Sequence, residues 1–474
     1  MRRSTIAASA GFAAPWALEL NGIAHAAADP QGYRALVCVF LYGGNDHHDT
    51  FVPNDSAGYA AYRNARGGIA RNRADLLDIR PTDGFSGAGT FGFAPELRRL
   101  HGLFERGDVA VLSNVGTLVR PLTKRDWENQ ADRPPQLFSH NDQQSYWQSS
   151  SPEGSTTGWG GRIADLLLDG NAANSAFTCT SVAGNAVMMS GRDALQYQVS
   201  PRGVTQLRSD TFRYDPMNAG IREIMQMSRP ELFPASYSDI SRRALDAADG
   251  LDAAVTAVDG RHDLARHFSL QSDNRTETQL SAQLHMVAKL IAAGRDQLGL
   301  KRQVFFVSIG GFDNHNGLAR EHPALLRAID SSLAGFHAAS TSLGAADQVT
   351  TFTASDFGRT LTSNGDGTDH GWGGHHLVMG GAVRGNRVYG SVPVIAEDGP
   401  DDVGRGRLLP STSVDQYAAT IATWMGAGSS ELSAVVPNID NYAVQNLGFL
   451  TGSADATAGK PHGRGLAPAV RIGR

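Results

Sequence analysis

Four stretches of this chain gather carboxylates and imidazoles, the first two behind paired glycines. GGNDHHDT, Gly43 to Thr50, offers Asp46, His47 and His48 with the Thr50 hydroxyl nearby. GGFDNHNG, Gly310 to Gly317, repeats the Gly-Gly-x-Asp order with Asp313 and His315. TASDFGRT, Thr353 to Thr360, supplies Asp356 and Arg359, and TDHGWGGHH, Thr368 to His376, follows with Asp369, His370, His375 and His376. Imidazole mixed with carboxylate is the donor set of Zn or Mn, whereas an all-oxygen subset suits Mg or Ca. Asp46, Asp313, His315, Asp356, Asp369, His370, His375 and His376 are the candidate ligands for one or two divalent ions, with His47 and His48 lining the site. Turn formation and helix capping are the structural alternatives for the same residues. Arg359 carries a planar fork that suits an anionic oxygen. Ser139-His140-Asn141-Asp142 adds a hydroxyl, an imidazole and a carboxylate. Adjacency alone builds no triad, so Ser139 and Thr50 stand as candidate nucleophiles and His140 and Asp142 as site-lining groups.

The elements that must position these groups read as α/β. Tyr33 to Tyr42 is a continuous apolar, β-branched and aromatic run ending at Gly43, the pattern of a strand buried on both faces. Val109 to Val115, Arg302 to Asp313 with its two glycines, and Gln348 to Asp356 read as further strands, each preceded by a helical stretch: Glu96 to Phe104, Thr278 to Gln297 and Pro323 to Ser342. Strands joined through helices are expected to run parallel, with their carboxyl ends on one edge where such folds assemble sites. Arg120 to Gly160 reads as mostly irregular, Ala186 to Met189 as strand-like, and Leu251 to His267 and Val414 to Trp424 as helical. A cap or insertion is expected around 172–277, and a flexible tail over 452–474.

The chain has 474 residues, 41% of them apolar, and a net charge of −5. That composition supports a globular fold and lacks the excess of basic residues a general nucleic-acid binder uses against phosphates. No segment reaches the 18 or so uninterrupted apolar residues of a membrane span. Met1-Arg2-Arg3, a short apolar stretch and Ala24 to Ala27 before Asp29 form the order of an export signal over 1–27, with paired arginines of the twin-arginine kind. A periplasmic or secreted protein follows as the expectation. Cys38 and Cys179 are too few for a disulfide framework and read as buried thiols.

The runs YRALVCVFLYGGND, LFSHNDQQ, VFFVSIGGFDNH, TFTASDFGRT, DHGWGGHH and VDQYAATIATWMG together resemble domain-of-unknown-function family 1501, a group of exported bacterial proteins. That family in turn is similar to the alkaline phosphatase and sulfatase superfamily. The resemblance implies a three-layer sandwich over 28–451 around a mixed, mainly parallel sheet, with metal ions that assist phosphoryl or sulfuryl transfer. It implies a ligand role for Asp46, for Asp313 with His315, and for Asp356. Two positions depart from the enzymes' pattern: Gly317 stands where their later Asp/His pair has histidine, and Phe357 stands beside Asp356 where they carry another. Neither cysteine sits in the sulfatase modification pattern. Two functions are therefore expected: metal-assisted hydrolysis of phosphate or sulfate esters, with an anionic small molecule or envelope component as partner, or a noncatalytic exported metal-binding or assembly protein on the same fold. Nonheme redox chemistry has no specific motif here.

Overall fold

The computed structural model describes residues 32–87, 89–130, 132–204, 223 and 232–452. The expected export signal over 1–27 and nearly all of the tail over 452–474 lie outside them.

Nine strands form the main sheet: β1 (Arg34–Leu41), β2 (Val109–Gly116), β3 (Cys179–Ser181), β4 (Gln196–Gln198), β5 (Arg302–Ile309), β6 (Val349–Ser355), β7 (Gly374–Met379), β8 (Val388–Tyr389) and β9 (Thr412–Ser413). Their order is β8-β2-β7-β6-β1-β5-β3-β4, with β9 also on β2. β1 is central and runs parallel to both neighbours, Val37 facing Phe305 on β5 and Thr351 on β6. β7 is antiparallel to both β6 and β2. The four strands read from the sequence therefore share one direction, although β7 separates β2 from the others.

Both faces of the sheet are covered, which is why β1 is apolar from Ala35 to Leu41. Ala35, Val37, Val39 and Leu41 enter one core with helices Arg98–Arg106, Arg275–Asp296 and Leu318–Ser342. Leu36, Cys38 and Phe40 enter the other with helices Trp159–Asp165 and Val414–Met425. The result is a three-layer α/β sandwich with a mixed, mainly parallel sheet. Cys38 and Cys179 are both free and buried.

Some expectations hold in outline and others need correction. Most of Arg120 to Gly160 is irregular as expected, although it holds helices Lys124–Glu128 and His140–Ser149. The second has polar residues on most of its circumference because one side faces the site, so no apolar stripe announces it. Ala186 to Met189 contributes a 3₁₀ turn, Val187–Met189, rather than a strand. The helix expected over Leu251 to His267 begins earlier and stops at Asp259. Within 172–277, residues 205–222 and 224–231 lie outside the described residues; of the rest, β3 and β4 extend the main sheet and Leu251, Val255 and Val258 belong to the first core.

Candidate functional site

The carboxyl ends of β1, β5 and β6 meet at one edge. Gly43 and Gly44 turn the chain after β1 at φ 114° and 81°. A Cβ on Gly43 would stand 2.4 Å from the Asp313 nitrogen, and one on Gly44 2.5 Å from the Phe357 ring. Glycine is needed here because three strand ends close on each other.

Asp313 follows β5 and receives Arg359 Nη1 at 2.6 Å on Oδ1. His370 Nε2 lies 3.2 Å from the same oxygen, and His140 Nε2 lies 3.4 Å from Oδ2. His140, Asp313 and His370 form a candidate metal site, each offering a ligand atom within 4.8 Å of the others. Among the described residues it is the one such group of histidine, cysteine and acidic side chains. Asp313 is 42% exposed, so the group opens to solvent.

The hydrogen-bond network assigns the tautomers. His140 Nδ1 meets Asp356 Oδ2 at 2.6 Å, and His370 Nδ1 meets the Phe138 carbonyl at 2.7 Å. Both Nδ1 atoms must donate, which leaves both Nε2 lone pairs facing Asp313, the arrangement that orients metal-binding imidazoles. His315 repeats it: Nδ1 meets Asp369 Oδ1 at 3.3 Å, and Nε2 lies 3.1 Å from Asp313 Oδ1. His315 Nε2 also approaches His370 Nε2 to 2.9 Å. Two lone pairs that close repel unless a cation lies between them. Two ligands of one tetrahedral ion stand about 3.3 Å apart by simple geometry.

Charge is arranged to match. Burial raises the Asp313 pKa, but the Arg359 hydrogen bond and charge outweigh it and keep the carboxyl below its ordinary value. The hydrogen bond to Asp356 raises the His140 pKa against the effect of burial. Burial lowers that of His370 and favours its neutral, ligating form. Asp356 is fully buried and also accepts from Gln144 Nε2 at 2.8 Å and Gly43 N at 3.2 Å. Phe357 packs on His140 and His370, with ring centroids 4.9 and 4.5 Å away.

The other sequence candidates are placed differently. Asp46 is not brought into the cluster: both its oxygens are bound by Arg66, at 2.8 and 2.6 Å, and Oδ2 accepts from Thr368 Oγ1. The Arg66 charge outweighs burial and holds Asp46 well below the carboxylate range. Asp356 supports His140 rather than sharing the group directly. Asp369 bonds His315 on one oxygen and Arg405 on the other, at 2.5 Å. Arg359 is fully buried, with Nε on Thr368 Oγ1 and Nη1 on Gly43 O and Asp313, so it positions a carboxylate instead of meeting a ligand.

His47, His48, His375 and His376 lie inside the protein. His47 Nδ1 accepts from Arg359 N at 3.4 Å and His375 Nδ1 from Asn114 N at 3.0 Å. Each must then carry its proton on Nε2, which removes the lone pair an ion needs. His376 packs on Trp147 at 4.6 Å. Burial pushes His48, His375 and His376 down to about 3. Thr50 Oγ1 donates to the Asp46 carbonyl at 2.8 Å, and Ser139 Oγ donates to Asp142 Oδ2 at 2.7 Å. Neither hydroxyl bonds to His140, Asp313 or His370.

Sequence reasoning missed Gln144, Phe138 and Arg66 and placed His140 only on the rim. A signal existed for the first: His140 and Gln144 stand four apart, one turn of a helix, and so reach the same Asp356. Phe138 has φ 73°, uncommon for a bulky residue, and that backbone turns its carbonyl to His370.

Solved structures similar to this chain include the PsFucS1 sulfatase from Pseudoalteromonas sp., at 9% identity and TM-score 0.37, covering 87% of this chain and 73% of that one. The phosphonate monoester hydrolase SpPMH from Silicibacter pomeroyi is 11% identical, with TM-score 0.27 and coverage of 83% and 73%. A variant of the alkaline phosphatase PafA is 12% identical, with TM-score 0.25 and coverage of 69% and 64%. Likenesses this remote transfer no residue roles, and the chemistry below rests on this chain's own side chains. No curated protein matches the sequence. The family described as "Protein of unknown function (DUF1501)" matches residues 33–436, and the chain belongs to the DUF1501 family.

Proposed function

We propose that this protein is a metal-dependent hydrolase of phosphate or sulfate esters acting outside the cytoplasm. The observation that carries the reading is the convergence of His140, His315 and His370 on the ionised Asp313, each histidine with Nδ1 held by an acceptor and Nε2 turned inward. Their donors suit Zn or Mn: His140, Asp313 and His370 would hold the ion, leaving a coordination position for water or an ester oxygen, with His315 beside it. A divalent ion there supplies positive charge for a non-bridging oxygen of the ester as negative charge builds in the transition state. Asp313 is held ionised by Arg359, Asp356 fixes the His140 ring, and the Phe138 carbonyl fixes the His370 ring. Since the Thr50 and Ser139 hydroxyls are donated elsewhere, water is the nucleophile: its oxygen bonds to phosphorus or sulfur, the ester bond to the alcohol oxygen breaks, and the alcohol leaves with a proton. The exported location rests on the amino-terminal arginine pair and apolar stretch.

Zn- and Mn-reconstituted protein is to be assayed on nitrophenyl phosphate and nitrophenyl sulfate. Turnover that Asp313→Ala removes and Ser139→Ala retains supports the reading. No turnover at full metal occupancy contradicts it, and loss of turnover in Ser139→Ala would instead assign a covalent nucleophile. Phe357 stands beside Asp356, and among the described residues no hydroxyl is bonded to His140, Asp313 or His370, which favours a second reading, a noncatalytic metal-binding or assembly protein. Full occupancy without turnover, together with metal-dependent capture of an envelope component, selects that one.

A further inference from the structure

Beside the metal centre lies a groove of about 380 Å³ whose lining includes Trp127, Gln130, Arg133, Gln136 and Phe138. It is joined to the centre through one residue, because Phe138, whose backbone carbonyl bonds His370, also lines the groove. Nine non-glycine residues with positive φ occur among the described residues, and three of them line this groove: Gln130 at 55°, Gln136 at 50° and Phe138 at 73°. Backbone in that region costs on the order of 1–3 kcal/mol per residue and persists where the surroundings enforce it. A simple surface loop has no need of three such residues.

The side chains have a definite chemistry. Arg133 is half-buried with its guanidinium 4.5 Å over the Trp127 ring, and among the described residues it has no ion-pair or hydrogen-bond partner. Arg407 lies 4.8 Å over the Phe138 ring while its Nε donates to the His370 carbonyl. A guanidinium stacked on an aromatic face keeps its N–H donors at the edge, where they meet planar oxyanions in a fork. Trp127 and Phe138 meet edge to face at 6.4 Å and give the groove its aromatic wall.

Resting on the hydrolase reading above, we propose that this groove is a substrate subsite. It takes a ring that carries a second anionic group, a carboxylate or a sulfate, remote from the scissile ester. The ring packs on the wall formed by Trp127 and Phe138, and the oxyanion pairs with the free edge of Arg133. Esters with two anionic ends are then preferred over those with one.

The test uses metal-loaded full-length protein and the phosphate and sulfate esters of hydroxybiphenyl carboxylic acid and of its methyl ester. The carboxylate is expected to exceed the methyl ester in kcat/KM by about tenfold, the scale of one charge-assisted fork. Arg133→Gln is expected to collapse that ratio toward unity, and Arg133→Lys to retain part of it. Equal kcat/KM for the two esters, or a ratio that Arg133→Gln does not change, overturns the proposal. If no form of the protein turns over any ester, the hydrolase reading fails, and the groove is judged by calorimetry with biphenyl dicarboxylate. Binding that weakens about tenfold in Arg133→Gln supports the subsite, whereas no binding, or equal binding by the variant, overturns it.

Discussion

His140 and Asp356 are 216 positions apart in the chain and 2.6 Å apart in the fold. The pair decides which imidazole nitrogen is free. In Asp356→Asn the charge that holds the Nδ1 proton is gone, and a competition assay against a chelating dye is expected to show metal affinity about 10–100-fold weaker. Asp46 is the contrasting carboxylate. It sits after the same Gly-Gly-x-Asp order as Asp313, and nothing in the sequence marks Arg66 as its partner, so the residue type was legible and its use was not. Arg66→Met strands a buried anion, and urea unfolding is expected to register a loss of about 3–5 kcal/mol. A loss below about 1 kcal/mol would show that water reaches Asp46.

At the scale of elements, the apolar runs of β1 and β5 were readable because strands covered on both faces leave no alternation to confuse, and β6 was readable from its β-branched Val and Thr residues. Their shared direction and the edge where Asp313 and His370 gather followed from the helical connections. The helix His140–Ser149 was not readable, because its polar faces serve Asp356 and the sandwich wall instead of a core. Nor does periodicity reveal that His375 and His376 lie within a strand while His370 sits before it, although nine residues contain all three. The turn after β1 offers a direct test of how tightly the strand ends close. Gly43→Ala adds a Cβ against the Asp313 backbone at a φ of 114°, and thermal unfolding is expected to show a loss of about 1–3 kcal/mol together with weaker metal binding. A fully stable Gly43→Ala protein would show that this approach is loose.

For the whole molecule, the interior histidines set the response to acid. His48, His375 and His376 titrate near 3 in the fold and near 6.5 when unfolded. Between those values the unfolded chain binds more protons, so stability is full above about 6.5 and falls as pH drops toward 3. Each ring contributes a slope of up to about 1.4 kcal/mol per pH unit. Urea midpoints measured across this range are expected to decline steeply toward acid, and a flat profile would mean that the rings are hydrated. An ion that binds only the folded state adds stability by mass action, and a chelator is expected to lower the Tm by about 3 °C.

The most direct measurement is anomalous scattering from crystals of the full chain grown with saturating Zn or Mn. The account predicts one ion about 2.0–2.2 Å from His140 Nε2, His370 Nε2 and an Asp313 oxygen. An ion bound elsewhere, or no ion at this centre under saturation, would contradict it.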